Sequence, residues 1–311
     1  RGPLEYPQYK YVVLPLLFLK FSSDLYQKRR DYLEKETKNP DNKEYFMKTE
    51  QARDSVINDP DEYHKESILF IKKGNTWNDL MKAASQENIA IKIDKMLNDL
   101  EMDNPVLQGV LPKNFSALDI PNQNLSTLIN DFSTITHGET RTADFDFLGR
   151  MYEFFLGKFS SKEGKGEFYT PYSIVKLIAE ILEPEKGKVF DPTCGSGGML
   201  VQCMKFHNTH KNSNSNLAFY AQEFTKGIWQ ICKMNLILRG IDSSNVKRED
   251  SLVNDQHPNL KANFIMANPP FNELEWGHDK LKNDKRWKYG IPPYTDAGGN
   301  YAFMQHMIYH L

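Results

Sequence analysis

Apolar residues recur at intervals of three and four along the first part of the chain, then give way to short apolar runs separated by helical segments. Tyr11, Leu14, Phe18, Phe21, Leu25 and Tyr32 share one face of a helix from Gln8 to about Lys35, a spacing that predicts a long amphipathic helix. Pro15 interrupts that pattern: either the helix begins near it, where proline suits a first turn, or the helix bends there. Residues 36–66 are polar and charged and predict helices separated by loops, with a break at Asn58-Asp59-Pro60. Thr76 is placed to cap a helix from Trp77 to Ala84, and Ile89, Ile93, Met96, Leu97 and Leu100 form a further stripe, followed by one more around Leu125 to Phe132. No useful strand-like alternation precedes residue 140, so this part is predicted to be all-α, its stripes serving core packing.

The second part alternates. Helices are predicted at Ser173 to Leu182, Gly198 to Phe206, Gly227 to Leu238 and Tyr301 to Leu311, and strands at Val189 to Asp191, Ala218 to Glu223, Val246 to Asp250 and Phe264 to Ala267. Such alternation implies a parallel sheet with crossover helices. Thr136-His137-Gly138-Glu139-Thr140 is the expected linker, so the predicted domains are residues 1–138 and 139–311. A helix containing Phe147, Met151, Phe154 and Phe155 should lead into a glycine- and lysine-rich loop at residues 157–166.

Composition narrows the partners rather than the fold. A formal net charge of -2 argues against a stand-alone electrostatic nucleic-acid binder, so a DNA substrate would need grip from another chain. The cysteines, Cys194, Cys203 and Cys232, form no Cys-x-x-Cys pair, which indicates neither a metal site nor a disulfide framework and suits a reducing cytoplasm. Tyr11 to Leu19 is about half the length of a membrane span, and no membrane association is expected. The chain begins with Arg1, and a fragment of a longer protein is the expectation.

Asp191-Pro192-Thr193-Cys194-Gly195-Ser196-Gly197-Gly198 joins a strand to a helix, where an open parallel sheet binds a nucleotide. A phosphate loop needs Gly-Lys-Ser/Thr, whereas Met199 and Leu200 follow Gly198; a dinucleotide loop needs a third glycine where Leu200 stands. A ligand without phosphate and with a cationic amino-acid portion suits the acidic residue before the glycines, and S-adenosylmethionine has both properties. Glu223 ends the next strand, where a carboxylate takes ribose hydroxyls, and Asp250 is placed to accept from the adenine amino group of that cofactor. Each acid alone also reads as a helix cap or solvated turn.

The fourth strand ends in Asn268-Pro269-Pro270-Phe271. The prolines remove two donors and stiffen the chain, so the Asn268 and Pro269 carbonyls point outward as acceptors. Asn268 adds a side-chain amide and Phe271 a flat face, a set that matches an exocyclic amine on a planar base. A base within a duplex reaches such a pocket only after flipping out.

Three stretches in this order, Glu167-Phe168-Tyr169-Thr170-Pro171, Asp191 to Gly198 and Asn268-Pro269-Pro270-Phe271, resemble motifs X, I and IV of amino-group DNA methyltransferases. More narrowly, the chain is similar to the modification subunit of type I restriction-modification systems, a similarity that extends to Tyr9 to Lys20, Gly290-Ile291-Pro292-Pro293 and Asn300 to His306. The resemblance implies a Rossmann-like α/β methyltransferase domain, mainly parallel and C-terminally incomplete, preceded by an all-α domain. It implies methylation of adenine N6 in DNA from S-adenosylmethionine, with a DNA-specificity subunit and, for cleavage, a translocating restriction subunit as partners. By resemblance, Phe168, Tyr169, Thr170 and Pro171 wrap the methionine end of the cofactor, Asp191, Gly195, Ser196, Gly197 and Gly198 line it, and Glu223 holds the ribose.

Lys285 and Arg286 lie in a basic loop interleaved with Trp276 and Trp287, expected either to touch DNA phosphates or to be a solvated loop. Two other functions stay open from residues alone: methylation of a protein glutamine amide, whose geometry suits the same acceptors, and a cofactor-binding scaffold without turnover.

Overall fold

The computed structural model describes residues 6–135, 151, 152, 154, 155, 170–210, 216–295 and 297–311. The expected linker at 136–140, the glycine- and lysine-rich loop, and the candidate site residues Glu167, Phe168 and Tyr169 lie outside them. The chain divides into two compact units, one reaching to Phe155 and including 238–240, the other made of the remainder. The predicted boundary at 138/139 falls among residues that are not described.

The first unit is helical. Its principal helices are α1 (Lys10–Glu36), α2 (Glu50–Ile57), α3 (Asp61–His64), α4 (Trp77–Lys82), α5 (Ile89–Asp103) and α6 (Asn122–Ser133). α1 differs from the amphipathic expectation. Every residue from Val12 to Ser23 is buried, because α2, α4 and α6 pack around it, and a helix that is apolar on all sides belongs in a core. Lys20, buried among them, pairs with Asp24 one turn on. Pro15 neither begins the helix nor ends it: α1 starts five residues earlier, at Lys10. Thr76 caps α4 through a reciprocal capping box with Asp79, and all five residues of the α5 stripe are buried.

The second unit carries α7 (Tyr172–Leu182), β1 (Gly187–Asp191), α8 (Gly198–His210), β2 (Leu217–Glu223), α9 (Lys226–Ile237), β3 (Val246–Arg248), β4 (Phe264–Ile265), α10 (His278–Leu281) and α11 (Gly298–His310). The strands form a parallel sheet in the order β3-β2-β1-β4. The chain moves from β1 outward through β2 to β3, then returns to the other side of β1 as β4. That reversal makes a switch point between β1 and β4, the place where open α/β sheets hold ligands at the carboxyl ends of their strands. Val189, Phe219 and Val246 are buried between sheet and helices with Leu200, Cys203 and Leu236, while Phe190 faces Leu260 and Ala262 on the opposite side.

Candidate active site at the carboxyl edge of the sheet

β1 and β4 leave the sheet side by side, since Met266 N donates to the Phe190 carbonyl at 3.1 Å just before both chains turn into loops. Asp191, the last residue of β1, is 1% exposed. Its Oδ1 accepts from Thr193 N at 3.0 Å. Burial, opposed by that bond and reinforced by the Glu223 carboxylate, pushes the Asp191 carboxyl up to about 8.

The loop after β1 is stitched to its neighbours. Gly195 N donates to Glu223 Oε2 at 3.1 Å, and Cys194 N to the Gln222 carbonyl at 3.1 Å, so the end of β2 grips the glycine loop. Glu223 Oε1 also accepts from Thr225 N at 2.8 Å. Asn235 on α9 donates to the Ser196 carbonyl at 2.8 Å, and Ser251 Oγ donates to the Pro192 carbonyl, bringing in the loop after β3.

The glycines do different jobs. Gly195 and Gly197 have φ of 52° and 80°, left-handed values that favour glycine. A Cβ at Gly195 would meet nothing within 4 Å, so this glycine borders open space. A Cβ at Gly197 would lie 2.8 Å from Cys232 Sγ; Gly197 is required by packing against α9. The three cysteines are free and buried.

Asp250 lies two residues beyond the end of β3, and its Oδ1 accepts from Leu252 N at 2.8 Å and Val253 N at 2.9 Å. It shapes this loop as an Asx turn, one of the readings open for it from sequence.

Asn268 is half-buried, and its Nδ2 donates to Thr170 Oγ1 at 3.1 Å. This bond joins the segment before α7 to the loop after β4. Its Oδ1 has no hydrogen-bond partner among the described residues. Phe271 is 67% exposed, and Asn272 behind it takes φ 60°, a conformation asparagine tolerates. Asn272 N donates to Asn300 Oδ1 at 3.0 Å, and Asn300 Nδ2 returns a bond to Asn272 Oδ1 at 3.3 Å. Asn300, which lies in one of the stretches of resemblance, clamps the segment after Phe271 to α11. Phe224, for which the sequence pattern carries no signal beyond its place after the strand-ending Glu223, is 72% exposed.

The Arg286 guanidinium is turned into the protein and is not free to touch DNA phosphates. It is 5% exposed, and all five N–H groups are used: on both Asp284 carboxylate oxygens, on the Ser251 and Leu252 carbonyls, and on His306 Nδ1. The guanidinium thus braces the loop after β3 against α11. Trp276 and Trp287 are core residues with Leu252, Leu281 and Phe303. Lys285 is exposed, with its ammonium 5.1 Å from the Tyr309 ring, and Tyr309 belongs to the helix end that packs where the chain enters β4, opposite Asn268.

One group of potential metal ligands occurs among the described residues, Asp255 with His306 and His310. Its bonding is that of an internal polar network. His310 is held between the Leu260 carbonyl at 3.0 Å and Asp255 at 3.0 Å. Burial, His310 and Arg286 push His306 down to about 3, so it is neutral, and its Nδ1 accepts from Arg286 at 2.9 Å, which leaves the proton on Nε2.

The comparisons with known proteins agree with this layout. The family model described as N-6 DNA Methylase matches residues 143–311, and that described as HsdM N-terminal domain matches residues 1–132. The chain belongs to the N-6 DNA methylase family. It is 36% identical over its full length to the type I restriction enzyme MjaIX methylase subunit of Methanocaldococcus jannaschii, covering 56% of that protein. It is 42% identical over 76% of its length to the HindI methylase subunit of Haemophilus influenzae, covering 55% of it. The chain therefore spans about half the length of the curated relatives it matches. A crystal structure of a type I restriction-modification methyltransferase subunit from Streptococcus thermophilus aligns over 99% of this chain and 68% of that one with a TM-score of 0.76 at 20% identity, a likeness of fold. No helix among the described residues is long and apolar enough to cross a membrane.

Proposed function

We propose that this member of the N-6 DNA methylase family methylates adenine N6 in DNA with S-adenosylmethionine as donor. In this reading it is the modification subunit of a type I restriction-modification complex in the cytoplasm. A DNA-specificity subunit supplies the recognition sequence, and a restriction subunit joins for cleavage. The observation that carries the reading is Asn268: a half-buried amide beside the sheet's switch point, its nitrogen held by Thr170 and its oxygen left to accept, followed by two prolines and an exposed aromatic ring.

The residues of the glycine loop fit S-adenosylmethionine. Asp191 and Glu223 are carboxylates close enough that Glu223 raises Asp191, a strain that a cationic ligand relieves. Open space borders Gly195, and Thr193 Oγ1 is buried without a hydrogen-bond partner among the described residues. In the proposal Glu223 takes the ribose hydroxyls and Asp250, through its second oxygen, the adenine amine. Ser196, Gly197 and Gly198 line the ligand, Phe224 offers its face to the adenine, and Glu167, Phe168, Tyr169, Thr170 and Pro171 close over the methionine end. When bound, the cofactor supplies a methyl group made electrophilic by a sulfonium, which takes back the electron pair as the methyl leaves.

The chain's own contribution is to make the adenine amine a better nucleophile. An aromatic amine is weak because its lone pair is spread into the ring. Asn268 Oδ1 and the Pro269 carbonyl accept the two N6 hydrogens, favour a pyramidal nitrogen and aim its lone pair at the methyl carbon. Pro270 holds the segment extended, and Phe271 stacks on the flipped base. After transfer the extra proton on N6 is lost to solvent, so no prior deprotonation is required.

The test is transfer of radiolabelled methyl from S-adenosylmethionine to DNA by the full-length protein, with and without its specificity subunit, followed by nucleoside analysis. Label in N6-methyladenine only when both chains are present is expected. Label in protein would replace the proposal with the glutamine reading, and cofactor binding without any transfer would replace it with the scaffold.

A further inference from the structure

Asn268 has two ways to sit. Its side-chain amide carries an acceptor oxygen and a donor nitrogen of similar size about one rotatable bond. Turned one way it offers lone pairs to an amine. Turned the other way it points N–H groups at the amine's own hydrogens, and the two donors repel. Half a rotation therefore separates an amide that promotes methyl transfer from one that obstructs it.

The structure holds one of these orientations. Nδ2 donates to Thr170 Oγ1 at 3.1 Å, and among the described residues this is the side chain's sole hydrogen bond. Thr170 is followed by Pro171, with φ of −54° and ψ of 138°, and a residue before proline is kept out of the helical region. Beyond them α7 is anchored by Val175 and Ala179, which are 3% and 2% exposed in the core it shares with α8. Asn272 and Asn300 hold the other end of the acceptor segment. With both ends held, the amide orientation is the freedom that remains. A hydroxyl that accepts from Nδ2 keeps its own proton for solvent and leaves Oδ1 facing the pocket. Without that hydroxyl, the productive orientation strands Nδ2 without a partner.

We propose that Thr170 is a positioning residue, whose hydroxyl oxygen accepts from Asn268 Nδ2 and thereby holds Oδ1 towards the amine to be methylated. This rests on the reading above that Asn268 accepts from the target amine.

The experiment uses the full-length chain with its specificity subunit and compares single-turnover methylation and cofactor affinity for wild type, Thr170→Val and Thr170→Ser, then for Asn268→Asp alone and combined with Thr170→Val. A carboxylate accepts through either oxygen, so the Asp background has no orientation to choose. At saturating cofactor, Thr170→Val is expected to slow transfer roughly three- to tenfold, the worth of one neutral hydrogen bond. Thr170→Ser should stay near wild type, and the cost of Thr170→Val in the Asp background should shrink to about twofold or less. Equal slowing in both backgrounds, or slowing that disappears once cofactor is saturating, would overturn the proposal. If Asn268→Asp turns over too slowly to read, the serine and valine variants decide: equal loss in both overturns it. A wild-type complex that methylates no adenine would instead overturn the functional reading on which the proposal rests.

Discussion

The two halves of the candidate site are built in opposite ways. Around Asp191 the loops are tied to one another before any ligand arrives: Glu223 grips Gly195, Ser251 grips Pro192, Asn235 grips Ser196, and Arg286 braces the loop that carries Ser251. Around Asn268 the contacts are few and peripheral, one bond to Thr170 and a pair to Asn300, with Phe271 facing outward. In the proposed function, a small cofactor that every turnover needs would be served by a rigid cradle. In the same proposal, a base that must leave a duplex would be served by an open arm whose acceptors await it.

The contrast is open to attack at several points. The largest effect should come from the brace. Arg286→Met removes a buried guanidinium from Asp284 and from two carbonyls, and a loss of about 3–5 kcal/mol in stability is expected, seen as a lowered denaturant midpoint. A variant as stable as wild type would mean that the cradle does not depend on its brace. Next is Asn268→Ala, which should slow methyl transfer about 10²–10³-fold while calorimetry finds cofactor affinity unchanged; parallel loss of both would dissolve the division into two halves. Phe271→Ala should weaken binding of DNA carrying an unpaired target base by about 1–3 kcal/mol, and full retention of that affinity would remove the stacking role.

A smaller effect is a pH dependence confined to the cradle. The Asp191 carboxyl sits near 8 in the free protein, above its ordinary value, so its contribution to stability is present below the ordinary carboxylate range and is lost as pH rises through about 8. A cation bound beside it expels the proton. Cofactor affinity is therefore expected to rise with pH below about 8, by up to about tenfold per unit, and then to level off, while Asp191→Asn removes the slope. Equal pH dependence in that variant would assign the titration elsewhere. The smallest effect is predicted for Lys285→Glu: with its ammonium over Tyr309, away from Asn268, DNA affinity and its salt dependence should stay within about twofold.

Much of the fold was legible because its signals are local. The α5 stripe, the Thr76 cap, the alternation from residue 170 onward and the acids closing β1 and β2 each depend on a few consecutive residues, and each recurs in the structure. The basic loop was not legible. Arg286 and Lys285 are neighbours of the same sign, yet one is buried by partners 20 and 34 or 35 positions away and the other is exposed. α1 differs for a related reason: one apolar face is visible in the sequence, but helices from three separate stretches of chain are needed to see that its other faces are covered too.

By itself the sequence determined the element types, the chemistry available at each strand end and the order in which the motifs meet, because propensity, glycine spacing and proline pairs act over a few residues. Only the tertiary structure decided which of those groups cooperate. It bonded Thr170 to Asn268 across 98 positions and Gly195 to Glu223 across 28, took Arg286 out of solvent, and added to Gly197 a packing requirement against Cys232. Such pairings follow from strand order and register, and those are set by how the whole core is buried, a sum over distant residues that no local stretch contains.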